Sequence, residues 1–343
     1  MAAVVIVGAG VTGLLTAVRC ALAGHRVTLL EQGPIPNTGS SSFDQHRALR
    51  LDARGPTGDG LHERWLRLQA ILGGRFYRGI GAVTVEPAAA AEATAAAARR
   101  AGARITLMGP EALPHIVFAP GCLGVHELDA GVLLAERVLH AAARWLRAQP
   151  GVTLRPWSPI VTVDPDHARL TVADGRMLSG DLVLVAAGVN SRELVETTAR
   201  VRRQTIVYAQ PPTELVTWWE HAPTVGGVGA DGTGWLLPPG DGTLLKLSSA
   251  GMCRPVGDAR EPLIGADFRV AQGWRALLAQ PERYTVIAVK HCHYSLDPGT
   301  GAGALEQIGP AVWARAAVGG DGFRTAPLVA DRIAELVATA AAA

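Results

Sequence analysis

The sequence has 343 residues, with 32 basic and 30 acidic side chains and a formal net charge of +2. This balance, without a long basic run, argues against a nucleic-acid-binding surface, and we expect no nucleic-acid partner. A chain of this length can bury a large core and predicts two domains, or one large domain with an insertion. The cysteines are scattered without a C-x-x-C pair, so we predict no metal site and no disulfide framework.

The apolar N-terminus does not have the pattern of a targeting or membrane segment. It lacks a basic first region, Gly and Thr residues break its apolar run, and Arg19 interrupts it before a membrane-spanning length is reached. We therefore expect a cytoplasmic protein with no membrane segment.

The first 32 residues carry the most informative pattern. Residues 4–7 are apolar and β-branched, which predicts a buried strand, and they lead into the glycines of a complete G-x-G-x-x-G at Gly8, Gly10 and Gly13. A helical run to residue 23 and a second strand over 26–30 follow, and Glu31 stands at the end of that strand. This order predicts a dinucleotide-binding βαβ unit.

The glycines and the acidic residue of this unit each have a structural role. Gly8 permits the tight turn, Gly10 lets the backbone approach a pyrophosphate, and Gly13 allows close helix–strand packing. Glu31 occupies the position at which a carboxylate accepts hydrogen bonds from ribose hydroxyls, and we count the adjacent Gln32 as a further candidate. A fingerprint so early in the chain is typical of an enzyme whose body holds FAD.

The later elements alternate between helices and strands. Helices are predicted over 61–72, 88–101, 129–148, after 190 and over 326–337, and strands over 80–85, 152–154, 160–163, 169–172, 182–185 and 313–318. Residues 169–172 and 182–185 are read as the two arms of a hairpin around 173–176. The stretch 203–287 is rich in strand patterns punctuated by Gly and Pro, which indicates an antiparallel sheet.

In this order the chain resembles the FAD-dependent amine oxidases of the D-amino-acid oxidase superfamily, closest to the monomeric sarcosine oxidase and N-methyltryptophan oxidase branch. Four landmarks carry the resemblance: the N-terminal fingerprint, residues 41–50, residues 184–188 and a C-terminal pair of motifs. It implies an α/β fold, with a Rossmann-like FAD-binding domain on a parallel sheet (residues 1–78, 127–198 and 296–343). A substrate domain on a mixed or antiparallel sheet would comprise residues 79–126 and 199–295.

The C-terminal pair is the most specific landmark. Residues 289–298 resemble the family's Cys-x-Tyr-Thr segment, whose cysteine sulfur is bonded to the flavin 8α-methyl carbon, so the resemblance implies covalent FAD through Cys292. Its alternative is a small buried hydrophobic residue. Residues 319–324 resemble the Gly-His-Gly-Phe-Lys motif, whose N–H groups would meet the flavin O2 edge. The residues of this loop counted as cofactor-binding are Gly320, Asp321, Gly322, Phe323 and Arg324.

The resemblance also assigns charged side chains. Lys246 would act as the cation near flavin N5 where oxygen is reduced, and its alternative is an ordinary surface lysine. Arg47 would lie against the flavin ring, while Arg50 and Arg324 would hold a substrate carboxylate. Ser41, Ile160, Ala187 and Gly188 complete the candidate cofactor-binding residues.

Three positions depart from the family pattern. Asp321 stands where sarcosine oxidase has a histidine, Trp235 falls near an active-site tyrosine, and Ala250 replaces another active-site histidine. These changes argue against sarcosine as the substrate. The Asp321 carboxylate would hold a protonated amine or a guanidine-like group, or would bond to backbone.

The implied activity is oxidation of a C–N bond in an amino acid or secondary amine by hydride transfer to flavin N5, giving an imine and, with O2, hydrogen peroxide. The expected partners are a small-molecule amine and O2, and the expected state is a monomer. We identify no protein base, since His46 and His293 are more often structural in such positions.

Other functions remain open from the sequence. They are a glycine-oxidase-like enzyme with non-covalent FAD, an amine dehydrogenase with another electron acceptor, a flavin monooxygenase and a non-catalytic flavoprotein subunit.

Overall fold

The protein is described here from a computed structural model, which covers residues 1–50 and 60–342 in interpretable detail. The α-helices are α1 Val11–Leu22, α2 Leu61–Leu72, α3 Ala88–Arg100, α4 Ala135–Arg147, α5 Val216–His221, α6 Gly265–Val270 and α7 Ala326–Ala342. The first strands are β1 Ala3–Val7, β2 Arg26–Leu30, β3 Arg47–Leu49, β4 Tyr77–Arg78, β5 Ala82–Pro87, β6 Ile105–Met108, β7 Cys122–Glu127, β8 Gly131–Leu133, β9 Val152–Arg155 and β10 Ile160–Asp164. The later strands are β11 Arg169–Val172, β12 Met177–Ser179, β13 Leu182–Val185, β14 Arg200–Gln210, β15 Thr224–Val228, β16 Gly234–Leu237, β17 Leu245–Ser249, β18 Cys253–Pro255, β19 Thr285–Leu296, β20 Glu306–Gly309 and β21 Val312–Ala314.

The first large sheet has the strand order β20-β21-β13-β1-β2-β9 and is parallel except for β20. Its central strands are continuous apolar runs because both faces are covered. Helices α1, α2, α4 and α7 cover one face, with Leu14, Leu15, Trp65 and Ile333 in the shared core. The small antiparallel sheet β10-β11-β12 covers the other face.

The second large sheet joins β18, β14, β17, β16, β15, β5, β7 and β6, and β19 pairs along the whole of β14. Its pairs are antiparallel except for β15 with β5, which run parallel, so the sheet is mixed. Trp219, Leu236, Leu247 and Trp274 are buried against it. The predicted α/β fold class, with one parallel and one mixed sheet, is confirmed.

A third, three-stranded sheet of order β3-β8-β4 corrects one sequence prediction. The helix predicted from residue 129 begins only at Ala135, because residues 131–133 form β8. A Cβ atom on Gly131 would lie 2.0 Å from the Arg78 carbonyl oxygen, so glycine permits this close strand approach. The consequence for the site is that β3, which carries Arg47, is held against β8 by the pair Arg47 with Leu133.

Three other element predictions also need correction. Residues 169–172 pair with β12, not with 182–185, because the fully apolar β13 is buried inside the parallel sheet. The segment after residue 190 continues a 3₁₀ turn, Gly188–Glu193, without an α-helix. The strand predicted over 313–318 is shorter and spans Val312–Ala314, and Arg315 and Val318 after it line a cavity. Across residues 1–50 and 60–342, no helix combines the length and the apolar composition needed to cross a bilayer.

Candidate active site

A cavity of about 450 Å³ lies where the carboxyl ends of β1 and β13 face residues of β14 to β17 and β19. Its volume is within the usual range of small-molecule sites, about 300–1,000 Å³. The candidate residues that line it are Gly8, Gly10, Glu31, Gln32, Ser41, Arg47, Arg50, Ile160, Ala187, Gly188, Trp235, Lys246, Cys292, Gly320, Asp321, Gly322, Phe323 and Arg324. Gly13 lies behind this wall. The fold therefore brings residues from all four landmarks around one cavity.

The three fingerprint glycines meet different surroundings. Gly8 has a φ of +100°, and a Cβ atom there would lie 2.5 Å from the Ala186 carbonyl oxygen. A Cβ atom on Gly13 would lie 1.9 Å from the Gly8 carbonyl oxygen, so Gly13 permits the close packing of α1 on β1. At Gly10 the nearest atom would be Ser42 Oγ at 3.2 Å. The need for glycine at position 10 thus comes mainly from the cavity that it faces.

Glu31 ends β2 with its side chain buried beside the fingerprint. Its Oε2 accepts a hydrogen bond from the Ala9 N–H at 2.7 Å, and its Oε1 accepts from the Asn37 amide at 2.9 Å and the Gly33 N–H at 3.3 Å. These bonds fix the carboxylate at the edge of the cavity, where its remaining lone pairs can accept hydrogen bonds from ribose hydroxyls.

Arg47 is placed by β3 and held by several acceptors. It donates to the Ser41 carbonyl oxygen at 2.6 Å and to the Asp44 carboxylate, and its guanidinium lies 5.8 Å from the centre of the Phe323 ring. Arg50 follows β3 on the same wall, and its NH1 lies 3.2 Å from the place of a Cβ atom on Gly226. Both predicted arginines therefore line the cavity.

Lys246 is buried on β17, with 2 % of its surface exposed. Its Nζ donates to Asp44 Oδ2 at 2.8 Å and to the His46 carbonyl oxygen at 3.2 Å, and it lies 5.7 Å from the centre of the Trp235 ring. The surface-lysine alternative is therefore wrong. Asp44 is also buried, and Tyr208 donates its hydroxyl to Asp44 Oδ1 from the neighbouring strand β14.

The charges of this cluster shift one another's pKa values. Burial acts to raise the pKa of Asp44, but the cations Arg47 and Lys246 outweigh burial and hold it well below the usual range. Burial lowers the pKa of Lys246 to about 8, with Arg47 adding to the decrease and Asp44 opposing it. Burial, reinforced by the Asp44 carboxylate, raises the pKa of Tyr208. The cluster thus holds an ionised Asp44 and a lysine that titrates near neutral pH.

Neither histidine near the site is placed to act as a base, since His46 does not line the cavity and His293 is hydrogen-bonded at Nε2. His46 Nε2 lies 3.2 Å from the Pro238 carbonyl oxygen, to which it donates, and burial lowers its pKa to about 3. His293 Nε2 accepts a hydrogen bond from Arg203 Nε at 3.1 Å, and burial together with that guanidinium lowers its pKa. Both side chains are therefore neutral at pH 7.

The C-terminal loop closes one side of the cavity. Phe323 stacks on Trp65 with ring centres 5.9 Å apart and planes 3° from parallel, which fixes the loop on α2. Arg324 NH2 lies 3.8 Å from Asp321 Oδ2, so the substituted aspartate faces a cation. Close contact between residues 318 and 322 explains the glycine there, because a Cβ atom on Gly322 would lie 2.2 Å from Val318 Cγ1.

Cys292 lies on β19 opposite Gln204 of β14 and lines the same cavity. Its Sγ is 4.0 Å from the Ser41 carbonyl oxygen, and the side chain is half-buried. This exposure to the cavity differs from the fully buried setting of Cys20, where burial raises the pKa to about 12. The thiol is therefore accessible from the cavity.

Arg315 is a cavity residue that the sequence analysis did not identify. It follows β21 with 4 % of its surface exposed, and its NH2 donates to Thr325 Oγ1 at 3.2 Å. Its Nε and NH1 have no hydrogen-bond partner among residues 1–50 and 60–342. Burial, only partly offset by Asp321, lowers its pKa to about 10, so it stays charged. A buried guanidinium of this kind and the glycine cradle both fit an anionic dinucleotide.

Asp44 and Tyr208 were also missed. Their pairing joins residues 164 positions apart, and no local pattern marks Tyr208 as a site residue. The sequence feature that could have identified Asp44 is its spacing to Arg47, three residues later beside a Ser-rich turn, which suits an ion pair.

The chain was also compared with known proteins. A family model described as DAO, FAD dependent oxidoreductase, matches residues 3–336. The chain belongs to the DAO family. This confirms the predicted superfamily and makes the protein an FAD-dependent oxidoreductase whose cofactor is FAD. No curated protein matches the sequence.

Solved structures show the DAO-family fold over almost the whole chain. NikD, an unusual amino acid oxidase essential for nikkomycin biosynthesis, has a TM-score of 0.78 at 19 % identity, covering 98 % of this chain and 93 % of NikD. Amadoriase I, a fructosyl amine:oxygen oxidoreductase from Aspergillus fumigatus, has a TM-score of 0.75 at 17 % identity, covering 98 % and 86 %. Amadoriase II, a fructosamine oxidase from Aspergillus fumigatus, has a TM-score of 0.76 at 18 % identity, covering 99 % and 86 %.

Proposed function

We propose that this protein is an oxidase of an amino acid or secondary amine that uses O2 and releases hydrogen peroxide. The observation that carries the proposal is the buried Lys246, which reaches the same cavity as Arg47, Cys292 and the loop over residues 319–324. A buried cation at a site of flavin chemistry is suited to stabilise negative charge that develops on oxygen. The oxidases with this fold that act on amines agree with the proposal.

Arg50 and Arg324 are proposed to hold a substrate carboxylate. Both line the cavity, and a guanidinium can bind a carboxylate through two parallel hydrogen bonds. Asp321, ion-paired with Arg324 at 3.8 Å, adds a negative charge at the same end. We propose that it attracts the positively charged nitrogen of the incoming substrate, while Trp235 forms an apolar wall beside Lys246. This arrangement favours a zwitterionic amino acid over an uncharged amine.

The proposed reaction needs no base from the protein. The bound flavin would accept a hydride from the carbon next to the neutral amine nitrogen and later pass two electrons to O2. A substrate that enters with a protonated nitrogen first gives one proton to solvent, and the neutral amine then loses that hydride and one N–H proton to become an imine, which water hydrolyses. Both protons leave to solvent, because His46 does not line the cavity and the Nε2 of His293 already accepts a hydrogen bond from Arg203.

Cys292 is proposed to bind FAD covalently through its sulfur and the flavin 8α-methyl carbon. The half-buried thiol on the cavity wall supports this, since its contact to the Ser41 carbonyl oxygen, at 4.0 Å, is long and weak. The further proposals are a cytoplasmic monomer and the division into an FAD-binding domain (1–78, 127–198 and 296–343) and a substrate domain (79–126 and 199–295).

The test is a pair of half-reaction measurements on the purified, FAD-loaded protein. Amino acids, secondary amines and fructosyl amines are mixed with it anaerobically, and loss of the oxidised flavin absorbance is followed in a stopped-flow instrument. Oxygen is then admitted and peroxide is measured with a peroxidase-coupled assay. The proposal expects one peroxide for each substrate consumed and weaker substrate binding in Arg50→Ala. Reduction without peroxide would indicate a dehydrogenase, and no reduction by any amine would refute the proposal.

A further inference from the structure

Asp44 is a buried carboxylate with donors on both oxygens. Its Oδ2 accepts from Lys246 Nζ at 2.8 Å and from Arg47 NH1, and its Oδ1 accepts from the Gln45 N–H at 2.7 Å and from the Tyr208 hydroxyl. The side chain is 1 % exposed. A carboxylate with two cationic partners and two further donors is ionised and fixed in one orientation.

The two cations depend on this carboxylate. Lys246 and Arg47 both contact Asp44 Oδ2, so without its charge two positive groups would face each other away from water. Within the described part of the chain, Lys246 also donates to the His46 carbonyl oxygen at 3.2 Å, which carries only a partial charge. Asp44 is therefore the group that makes a charged Lys246 tolerable at this place.

The strand pairing explains how the carboxylate is held. Tyr208 of β14 is the register partner of Lys246 on β17, so two of the three side chains that bind Asp44 come from adjacent strands of one sheet. Gln45 adds a second attachment, because its Oε1 accepts from the Leu244 N–H at 2.7 Å, just before β17 begins. The segment that carries Asp44 is thus fastened directly to the strand that carries Lys246.

We infer that Asp44 is a positioning residue for the reaction with oxygen, a role that rests on the proposed oxidase function: its carboxylate keeps Lys246 in the cationic form and directed along the cavity wall. Asp44 itself would not touch substrate or cofactor in this role. Its effect is exerted through Lys246, whose charge is needed when oxygen is reduced.

The effect on titration follows from the groups that face Lys246. Burial and the Arg47 charge lower the pKa of Lys246 and Asp44 opposes them, with a net pKa of about 8. Cys292 would act on it only as a thiolate, and as a thioether to the flavin it carries no charge. The neutral His46 contributes its carbonyl oxygen, and Tyr208 and Trp235 are uncharged. Loss of an opposite charge at contact distance shifts a pKa by about 1–3 units. Removal of the Asp44 charge should therefore leave Lys246 neutral at pH 7.5.

The experiment compares Asp44→Asn with the wild-type holoenzyme. The flavin is reduced with dithionite, so that no amine is needed, and its reoxidation by O2 is followed from pH 6 to 10. The wild-type rate should fall above pH 8, and in Asp44→Asn the fall should move to lower pH by about 1–3 units. Asp331→Asn is the matched control, because Asp331 pairs with Arg19 and Arg64 outside the cavity wall, and it should keep the wild-type profile.

A second readout separates this inference from the proposed function. Sulfite adds to oxidised flavin as an anion, so the pH dependence of its dissociation constant reports the charge of Lys246 without oxygen or substrate. The sulfite profile of Asp44→Asn should shift with its reoxidation profile. Asp44→Ser, a smaller uncharged residue, should give the same shift and replaces the Asn variant if that does not load FAD.

The outcomes are distinct. Unshifted profiles in both Asp44 variants, or reoxidation faster than wild type at pH 7.5, would overturn the inference. If the sulfite profile shifts but the reduced flavin does not react with O2, the oxidase function is refuted. Asp44 would still be shown to set the charge of Lys246.

Discussion

Alanine substitutions at Gly13 and Gly10 of the fingerprint should produce two different defects, because the added methyl group meets different atoms at each position. At Gly13 it would lie 1.9 Å from the Gly8 carbonyl oxygen, a backbone atom that cannot rotate away. At Gly10 its nearest neighbour would be Ser42 Oγ at 3.2 Å, and the backbone angles there, φ −68° and ψ −178°, suit any L-amino acid. Gly13→Ala should therefore damage the fold, and Gly10→Ala should damage cofactor binding.

The sizes of these effects follow from the same distances. Overpacking of a core costs about 1–3 kcal/mol of stability. An approach of 1.9 Å is far inside van der Waals contact, so Gly13→Ala should lower the free energy of unfolding by about 3 kcal/mol or more. The helix-propensity gain of alanine over glycine, about 1 kcal/mol, is too small to compensate. Gly10→Ala should leave the free energy of unfolding within about 1 kcal/mol of the parent. It should weaken FAD binding at least tenfold, about 1.4 kcal/mol, since the methyl group enters the cavity.

The assay uses the Cys292→Ala background, so that FAD can be removed and added back. Urea unfolding of the apoprotein gives stability, and quenching of flavin fluorescence gives the dissociation constant for FAD. Gly151→Ala is the control substitution, because its Cβ would meet only the His25 carbonyl oxygen at 3.6 Å. Parental FAD affinity in Gly10→Ala, or parental apoprotein stability in Gly13→Ala, would refute this reading of the cavity wall.

Three more predictions concern single side chains. Lys246→Met should slow reoxidation by O2 far more than reduction by amine in stopped-flow experiments, and equal effects on both would exclude it as the oxygen site. Cys292→Ala should move the yellow colour from the acid-precipitated pellet to the supernatant; colour that stays in the pellet would require another attachment point. His46 has a folded-state pKa of about 3, below its usual 6.5, so the unfolded chain binds the extra proton and stability falls as the pH decreases through that window. In His46→Gln, urea titrations should show a smaller decrease in the free energy of unfolding between pH 6.5 and 3. The same decrease as in the wild type would contradict the lowered pKa of His46.

The sequence alone predicts the parts of this fold that local patterns specify. The βαβ unit around Gly8 to Gly13 is local, so its strand, turn and helix follow from neighbouring residues. The resemblance added Lys246 and Cys292, which the fold brings to the same cavity although 46 positions separate them. The family and cofactor predictions rested on these landmarks and are confirmed by the family match.

The sequence could not reveal partners that meet only in the folded chain. Asp44 and Lys246 are 202 positions apart, and a buried aspartate has the same letter as an exposed one. Arg315 looked like part of a strand end, and only the fold shows its guanidinium enclosed. The misplaced start of α4 and the wrong hairpin partner of β11 have the same origin, since both depend on which strand lies beside the segment.

The strand order of the parallel sheet has a consequence for the assembly of the cofactor site. β1, which leads into the fingerprint, pairs on one side with β2, the next strand in the sequence. On its other side it pairs with β13, which begins only at residue 182, and β13 pairs in turn with β21, which begins at residue 312. A fragment with the complete fingerprint therefore lacks most of the cavity, because Lys246, Cys292 and residues 318–324 arrive much later in the chain. Contacts of such long sequence separation form slowly. During refolding we expect quenching of flavin fluorescence to lag behind the recovery of helical circular dichroism, so that cofactor capture reports completion of the whole chain.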